Sequence, residues 1–392
     1  MSSCQTDVTA SSTIDYIGGE DISHLLAMLH LVKDFRGSHG KMYSLDYVLA
    51  AVIVATFGRA MNYTEIAEHV TDIPQDMLAR LGAPYCHFSQ TYLAPSLSTI
   101  SNILKKVDDH ALDLVTGTWL HELATRGREG DMVLAMDAKV LRGTRTSGNR
   151  QAAVFSAMIH GIGVVIGQIR VPDGTNEITQ VTNLVKKLRY TRGRTILTAD
   201  AAHTQFTTAR FLRARGIDVV MNIKGNQPKL YRAVFERCLT IVQETPGHVV
   251  EENSHGRIRR WTVWTTSAEG IRFPHMHTVA LICREEFDPD GNRLIKEYAY
   301  ILTTLRTKRA TPEAIYTHVR QHWGIENKIH YVRDTAFRED ACQAHTGNGP
   351  QNLATIRNLV LGLLRLHGVT KIAKTLRSIS RDRYRALRFM VT

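Results

Sequence analysis

With 392 residues, 43% of them hydrophobic and 22% charged, the chain has the make-up of a soluble globular protein of two or three domains. No apolar run reaches the roughly 18 residues a membrane helix needs, and the polar first stretch lacks the basic and apolar regions of a signal peptide. The net charge of +12 favours a polyanionic partner, nucleic acid above all. Cys4, Cys86, Cys238, Cys283 and Cys342 show no CxxC spacing, so neither a zinc ribbon nor a disulfide framework is indicated. A reducing cytoplasm, with the protein associated with the nucleoid, is the expected setting.

Residues 1–20 read as a flexible N-terminus. From 21 to 126 the pattern is helical and predicts an all-α N-terminal domain, with Leu25, Leu26, Leu29 and Val32 at helical spacing. Asn62 followed by Glu65 reads as a capped helix start. A run that opens at Ser96 and ends in Lys105-Lys106 has the shape of a recognition helix in a helix-turn-helix, although plain three-helix packing fits it as well.

The texture changes at 127. Met132-Val133-Leu134-Ala135-Met136-Asp137 is an apolar run closed by a carboxylate, which predicts a buried strand ending at the Asp. Lys139, Arg142 and a flexible polar loop over 143–150 follow. Two strand-like runs, 152–160 and 163–171, flank Gly161-Ile162 as a hairpin. A helix is predicted over 176–190, and the segment from Arg194 through Thr198-Ala199-Asp200 is a second strand ending in Asp. Helix 205–215, strand 217–223 and a helix reaching about 239 complete an α/β order. Parallel strands in such a sheet gather their C-terminal ends at one edge, so Asp137 and Asp200 are expected to lie close together. Either Asp alone is most often a cap or turn residue.

Residues 240–306 are β-rich, with strands predicted at 248–252, 257–265, 277–285 and 294–302. Beyond them Val319, Trp323, Ile325, Ile329, Val332 and Phe337 mark an amphipathic helix. Glu326 lies four residues after His322 and four before His330, so the three are expected on one face. Such a carboxylate suits a metal ligand facing phosphate. The plainer reading is a charged, solvated face, and the His-x3-Glu-x3-His spacing also admits Zn²⁺. Residues 351–366 read as a core helix. In the tail, 369–392, seven Lys and Arg residues stand against Asp382 alone, which predicts a phosphate-contacting segment.

Several short motifs occur in a fixed order. They are Asp34-Phe35-Arg36 with Gly40-Lys41, Met136-Asp137-Ala138-Lys139 with Leu141-Arg142-Gly143, Asn176-Glu177-Ile178, and Thr198-Ala199-Asp200-Ala201-Ala202-His203. Lys224-Gly225-Asn226-Gln227, His255-Gly256-Arg257, His322-Trp323-Gly324-Ile325-Glu326-Asn327, and Asp334 with Phe337, Glu339 and Asp340 complete the string. Over 20–368 the chain resembles the ISAs-type (H-repeat-associated) insertion-sequence transposases, a branch of the DDE transposases. It departs from them in Ala138, where the family usually has Gly, and in Thr175, where Lys is frequent. His322 and Arg333 stand where related branches carry Arg and Lys.

The resemblance implies an RNase H-like catalytic core over 127–368, with the β-rich stretch as an insertion, and Asp137, Asp200 and Glu326 as the catalytic triad. It implies DNA cleavage at element ends, which releases a 3′-hydroxyl, and strand transfer into target DNA. The partners would be double-stranded DNA carrying terminal inverted repeats, target DNA, and a second copy of the chain in a homodimer. Two Mg²⁺ ions (Mn²⁺ able to substitute) suit this chemistry because they are held by hard carboxylate oxygens. Asp137 would bridge the two, with Asp200 on one and Glu326 on the other. Lys139, Arg142, Lys328 and Arg333 are the expected phosphate contacts, and His203 lies with them as a DNA-side or acid/base group. A DNA-binding relic without cleavage is the alternative function.

Overall fold

The computed structural model describes residues 22–37, 41–145, 151–191, 193–254 and 256–390. The flexible stretch expected at 1–20, loop residues 146–150, and Gly40 and His255 of the motif string lie outside the described residues.

The N-terminal part is helical: α1 (Ser23–His30), α2 (Leu45–Phe57), α3 (Tyr63–Thr71) and α4 (Gln75–Arg80), then a two-residue hairpin of β1 (Tyr85–Cys86) and β2 (Thr91–Tyr92), then α5 (Leu97–Lys106) and α6 (Asp109–Thr125). Local chemistry starts these helices. Asn62 accepts from the Glu65 N–H while the Glu65 carboxylate takes the Met61 N–H, a reciprocal cap. Ser96 and Asp108 cap α5 and α6 by accepting from N–H groups of the first turn. Every residue of α2 except Asp46 is buried, so this helix is enclosed on all sides rather than amphipathic.

The rest is built on one nine-stranded sheet. Its elements are β3 (Met132–Leu141), β4 (Ala152–Ile159), β5 (Val164–Val171), α7 (Val181–Lys187), β6 (Thr195–Ala199), α8 (Phe206–Ala214), β7 (Ile217–Ile223) and α9 (Pro228–Ile241). They continue with β8 (His248–Ser254), β9 (Arg257–Ser267), β10 (Thr278–Phe287) and β11 (Arg293–Thr303). The strand order is β5-β4-β3-β6-β7-β11-β10-β9-β8. Only β3, β6 and β7 run parallel to one another; every other pairing is antiparallel. The β-rich stretch foreseen at 240–306 therefore continues the main sheet, because β11 pairs directly with β7.

Past the sheet come α10 (Pro312–His322), a π-helical turn over Ile325–His330, α11 (Tyr331–Thr335), α12 (Gly349–Leu366), α13 (Ile372–Arg381) and α14 (Leu387–Met390). Helix α12 is buried at every residue from Gly349 to Leu364. It packs on α2, α5 and α6 on one side and on β5 on the other, so one apolar core runs from Ile22 to Met390. Several of its polar side chains find partners inside. Asn352 Nδ2 donates to the Leu104 and Val107 carbonyls at the end of α5, and Thr355 and Asn358 bond the Gln168 side chain. The basic tail is ordered as well: Ile372, Leu376 and Ile379 face inward, and Lys371, Lys374, Arg377 and Arg381 form the outer face. Among the described residues no helix is long and apolar enough to cross a membrane.

Candidate active site

Adjacent parallel strands bring the two aspartates into line. Ala135 on β3 pairs with Thr198 on β6, so Asp137 and Asp200 each lie two residues beyond one matched position. Neighbouring strands run about 4.8 Å apart. Strand β6 stops at Ala199, and Asp200 opens the short 3₁₀ turn Ala201–His203. Strand β3 does not stop at Asp137, as its apolar run had suggested. It continues to Leu141 because β4 goes on pairing with it after β6 has ended. Asp137 is thus a mid-strand residue at the point where its parallel neighbour leaves.

Glu326 arrives from the other side. Thr311 caps α10 and Pro312 occupies its first turn, and the chain then widens into the π-helical turn that carries Glu326. Such turns insert extra backbone and re-aim side chains. Ile325 and Ile329 are buried, which leaves Glu326 outward. His322, Glu326, Asp137 and Asp200 line one cavity of about 600 Å³, together with Lys224, Asn222 and an aromatic wall that includes Trp261, Tyr316 and Trp323. His330 is not part of that lining, but its Nδ1 lies 3.5 Å from Asp137 Oδ2. The His-x3-Glu-x3-His spacing is not gathered into a zinc site: among the described residues no three His, Cys, Asp or Glu side chains stand closely enough together to hold a metal ion.

Electrostatics mark the carboxylates as one group. Asp137 is pushed up to about 7, first by burial and further by the charges of Glu177, Glu326 and Asp200, against the lowering effect of the Ala138 N–H. Glu177 is also raised, by burial and then by Asp200. Lys224 Nζ lies 3.6 Å from Asp200 Oδ1. Hard oxygen donors that repel one another in one cavity fit a divalent cation in chemistry. They stand open, however: among the described residues no three His, Cys, Asp or Glu side chains are gathered closely enough to hold a metal ion.

The expected phosphate contacts divide. Arg142 is 77% exposed, with Nε 3.7 Å from Asp340, and Lys328 is exposed with Nζ donating to the Gly161 carbonyl at 2.7 Å. Both remain at the surface. Arg333 does not: it is 0% exposed, and its guanidinium makes two 2.8 Å bonds to Glu339. Its charge answers a core carboxylate rather than a phosphate. Lys139 is buried too, with Nζ 2.7 Å from Asp334 Oδ2 and 3.8 Å from Asp340, and it ties β3 to the segment after Glu326. His203 packs its buried ring on Phe155, with Nε2 3.8 Å from Glu177, and burial lowers it to about 4. At 2% exposed it offers no surface contact.

Sequence reasoning gave Glu177 and Lys224 no role, although both fall inside motifs of the ordered string. The aromatic wall carried no signal, because Trp261 comes from β9 and Tyr316 from α10.

A family model described as "Transposase DDE domain" matches residues 128–363, and one described as "DDE_Tnp_1-associated" matches residues 26–120. YncI of Escherichia coli O157:H7 is 27% identical over 360 residues, covering 88% of this chain and 88% of that protein. The H repeat-associated YhhI of Escherichia coli strain K12 is 25% identical over 383 residues, covering 93% of this chain and 96% of that protein. The names of both give transposase as an assignment not yet proven. A solved piggyBac transposase synaptic complex with hairpin DNA overlays with a TM-score of 0.41 at 12% identity, covering 95% of this chain and 78% of that chain. That likeness is too loose to bear on fold or function.

Proposed function

The chain belongs to the transposase DDE-domain family, and from that premise we propose that it cuts duplex DNA at the ends of an insertion sequence and joins the freed ends to target DNA. The observation that carries this reading is the convergence of Asp137, Asp200 and Glu326, from three separate elements, on one cavity where mutual repulsion and burial hold Asp137 near 7. The central strands with their flanking helices are read as an RNase H-like core.

Asp137, Asp200 and Glu326 would supply the oxygens that hold Mg²⁺, or Mn²⁺ in its place, with the charge of Glu177 adding to theirs. When bound, such ions neutralise the transferring phosphoryl group and activate the attacking oxygen. Lys224 stands at the cavity mouth as a counter-charge for a DNA phosphate. Arg142, Lys328 and the outer face of α13 extend a basic surface along which duplex can lie. In-line attack by water at the element end breaks the bond between phosphorus and the 3′-oxygen. The freed 3′-hydroxyl then attacks a target phosphate, and the target's own 3′-oxygen leaves. Holding two ends together requires a second copy of the chain, so the working form is read as a homodimer on its terminal inverted repeats.

The test is cleavage of labelled duplex carrying the inverted repeats that flank the parent element, with unaltered chain and Glu326→Gln side by side, in Mg²⁺ and in EDTA. Cutting at the repeat ends that needs both the metal and Glu326 is expected. Repeat binding with no cutting in any lane would overturn the reading and leave a DNA-binding relic.

A further inference from the structure

One hydroxyl in the cavity wall has all of its hydrogen-bonding capacity in use. Thr198, on β6, is buried, and its Oγ1 lies 3.1 Å from the Leu134 carbonyl oxygen, 3.0 Å from His160 Nε2 and 2.8 Å from His322 Nδ1. A hydroxyl donates once and accepts twice. The carbonyl can only accept, so the hydroxyl hydrogen points there and both imidazoles must donate. His160 agrees with this assignment. Its Nδ1 is buried without a partner among the described residues, and a bare lone pair is a cheaper orphan than a buried N–H. Burial lowers both rings, His160 to about 3, so each is neutral at pH 7 and carries one proton.

His322 then has its proton on Nδ1, which leaves Nε2 as an acceptor. The ring lines the cavity beside Asp137, Asp200 and Glu326. The bond to Thr198 is the one hydrogen bond it makes among the described residues. Resting on the transposase reading above, we infer that His322 is a further active-site residue, locked by Thr198 as the Nδ1–H tautomer so that Nε2 accepts a hydrogen bond from the attacking hydroxyl and aims its lone pair at phosphorus. That hydroxyl is water in strand cutting and a DNA 3′-hydroxyl in joining. Thr198 is the positioning residue and transfers no proton itself.

Two pairs of variants test this in the same cleavage assay. In His322→Asn the amide reaches toward Thr198, but nothing occupies the Nε2 position; His322→Gln returns an oxygen near it. Thr198→Val removes the hydroxyl and keeps the shape, and Thr198→Ser restores it. His322→Asn and Thr198→Val are expected to cut about 10–100-fold more slowly, as for a misaligned reactant, with repeat binding within about twofold. The Gln and Ser variants should recover most of the loss. Nitrogen-15 NMR of the histidine-labelled full chain should show His322 as Nδ1–H. Full-rate cutting by His322→Asn, or an Nε2–H signal assigned to His322 in the unaltered chain, overturns the inference. The NMR result decides even if a variant fails to fold. Unaltered chain that never cuts overturns the transposase reading, and this one with it; cutting that needs Glu326 but ignores His322 overturns this one alone.

Discussion

Glu339 offers the sharpest test of what holds the helix segment beside β3. Its carboxylate accepts 2.8 Å bonds from Arg333 Nη2 and Nε and a 2.9 Å bond from Arg357 Nη1, and all three residues are buried. Burial alone would raise Glu339, but the two guanidiniums overcome it and hold the carboxyl at about 2 against a usual 4.5. That depression is worth on the order of 3 kcal/mol. Because the folded value is depressed, this stability is fully present above about 4.5 and is lost as the pH falls toward about 2. Glu339→Gln removes the counter-charge of both arginines. Breaking a buried pair by removing one partner costs about 3–5 kcal/mol, in line with the titration figure. Urea unfolding followed by tryptophan fluorescence at pH 7 should therefore show a loss of roughly 3 kcal/mol or more. The same variant should lose less stability than the unaltered chain as the pH falls from about 4.5 to 2. A variant within about 1 kcal/mol of the parent at pH 7 would refute the reasoning, since the triad would then be contributing almost nothing net.

Two other outcomes are expected. Gly143 lies where an added Cβ would collide with the Cys342 carbonyl oxygen and come within 2.8 Å of the Asp340 carbonyl oxygen. Gly143→Ala should thus cost about 1–3 kcal/mol, as overpacking does, and should slow cleavage by shifting Asp340 from Lys139; unchanged urea midpoint and rate would contradict this. With about 6–10 phosphate contacts, affinity for repeat DNA should fall on the order of 10³–10⁵ between 50 and 200 mM salt. Replacing Lys374, Arg377 and Arg381 together by Gln should flatten the log–log salt slope by roughly 2–3. An unchanged slope would take α13 out of the DNA path.

The alignment of Asp137 with Asp200 was legible because each closes a short apolar run in a βα order, and parallel pairing follows from that order. The end of β3 was not legible, since it depends on β4 outlasting β6, and Lys139 interrupts the apolar run. Charge was the least readable property. Arg333 and Lys139 resemble surface phosphate ligands until Glu339, Asp334 and Asp340 are seen folded against them. Those acidic partners lie in the same motif string, yet nothing in their spacing says that they face inward. The π turn was hidden for a related reason: residue identity predicts a helix, while the extra backbone is fixed by the burial of Ile325 and Ile329.

Helix α12 also sets a timetable. The helices that it covers are complete by Thr125, and about 220 residues separate them from Gly349. At roughly 5–20 residues per second of synthesis, α2, α5 and α6 wait some ten to fifty seconds with their α12-facing apolar surface open. Until α12 is made, that surface lacks the helix that covers it in the folded chain. A chain that ended before Gly349 would leave the core shared by α2, α5, α6 and β5 open to solvent.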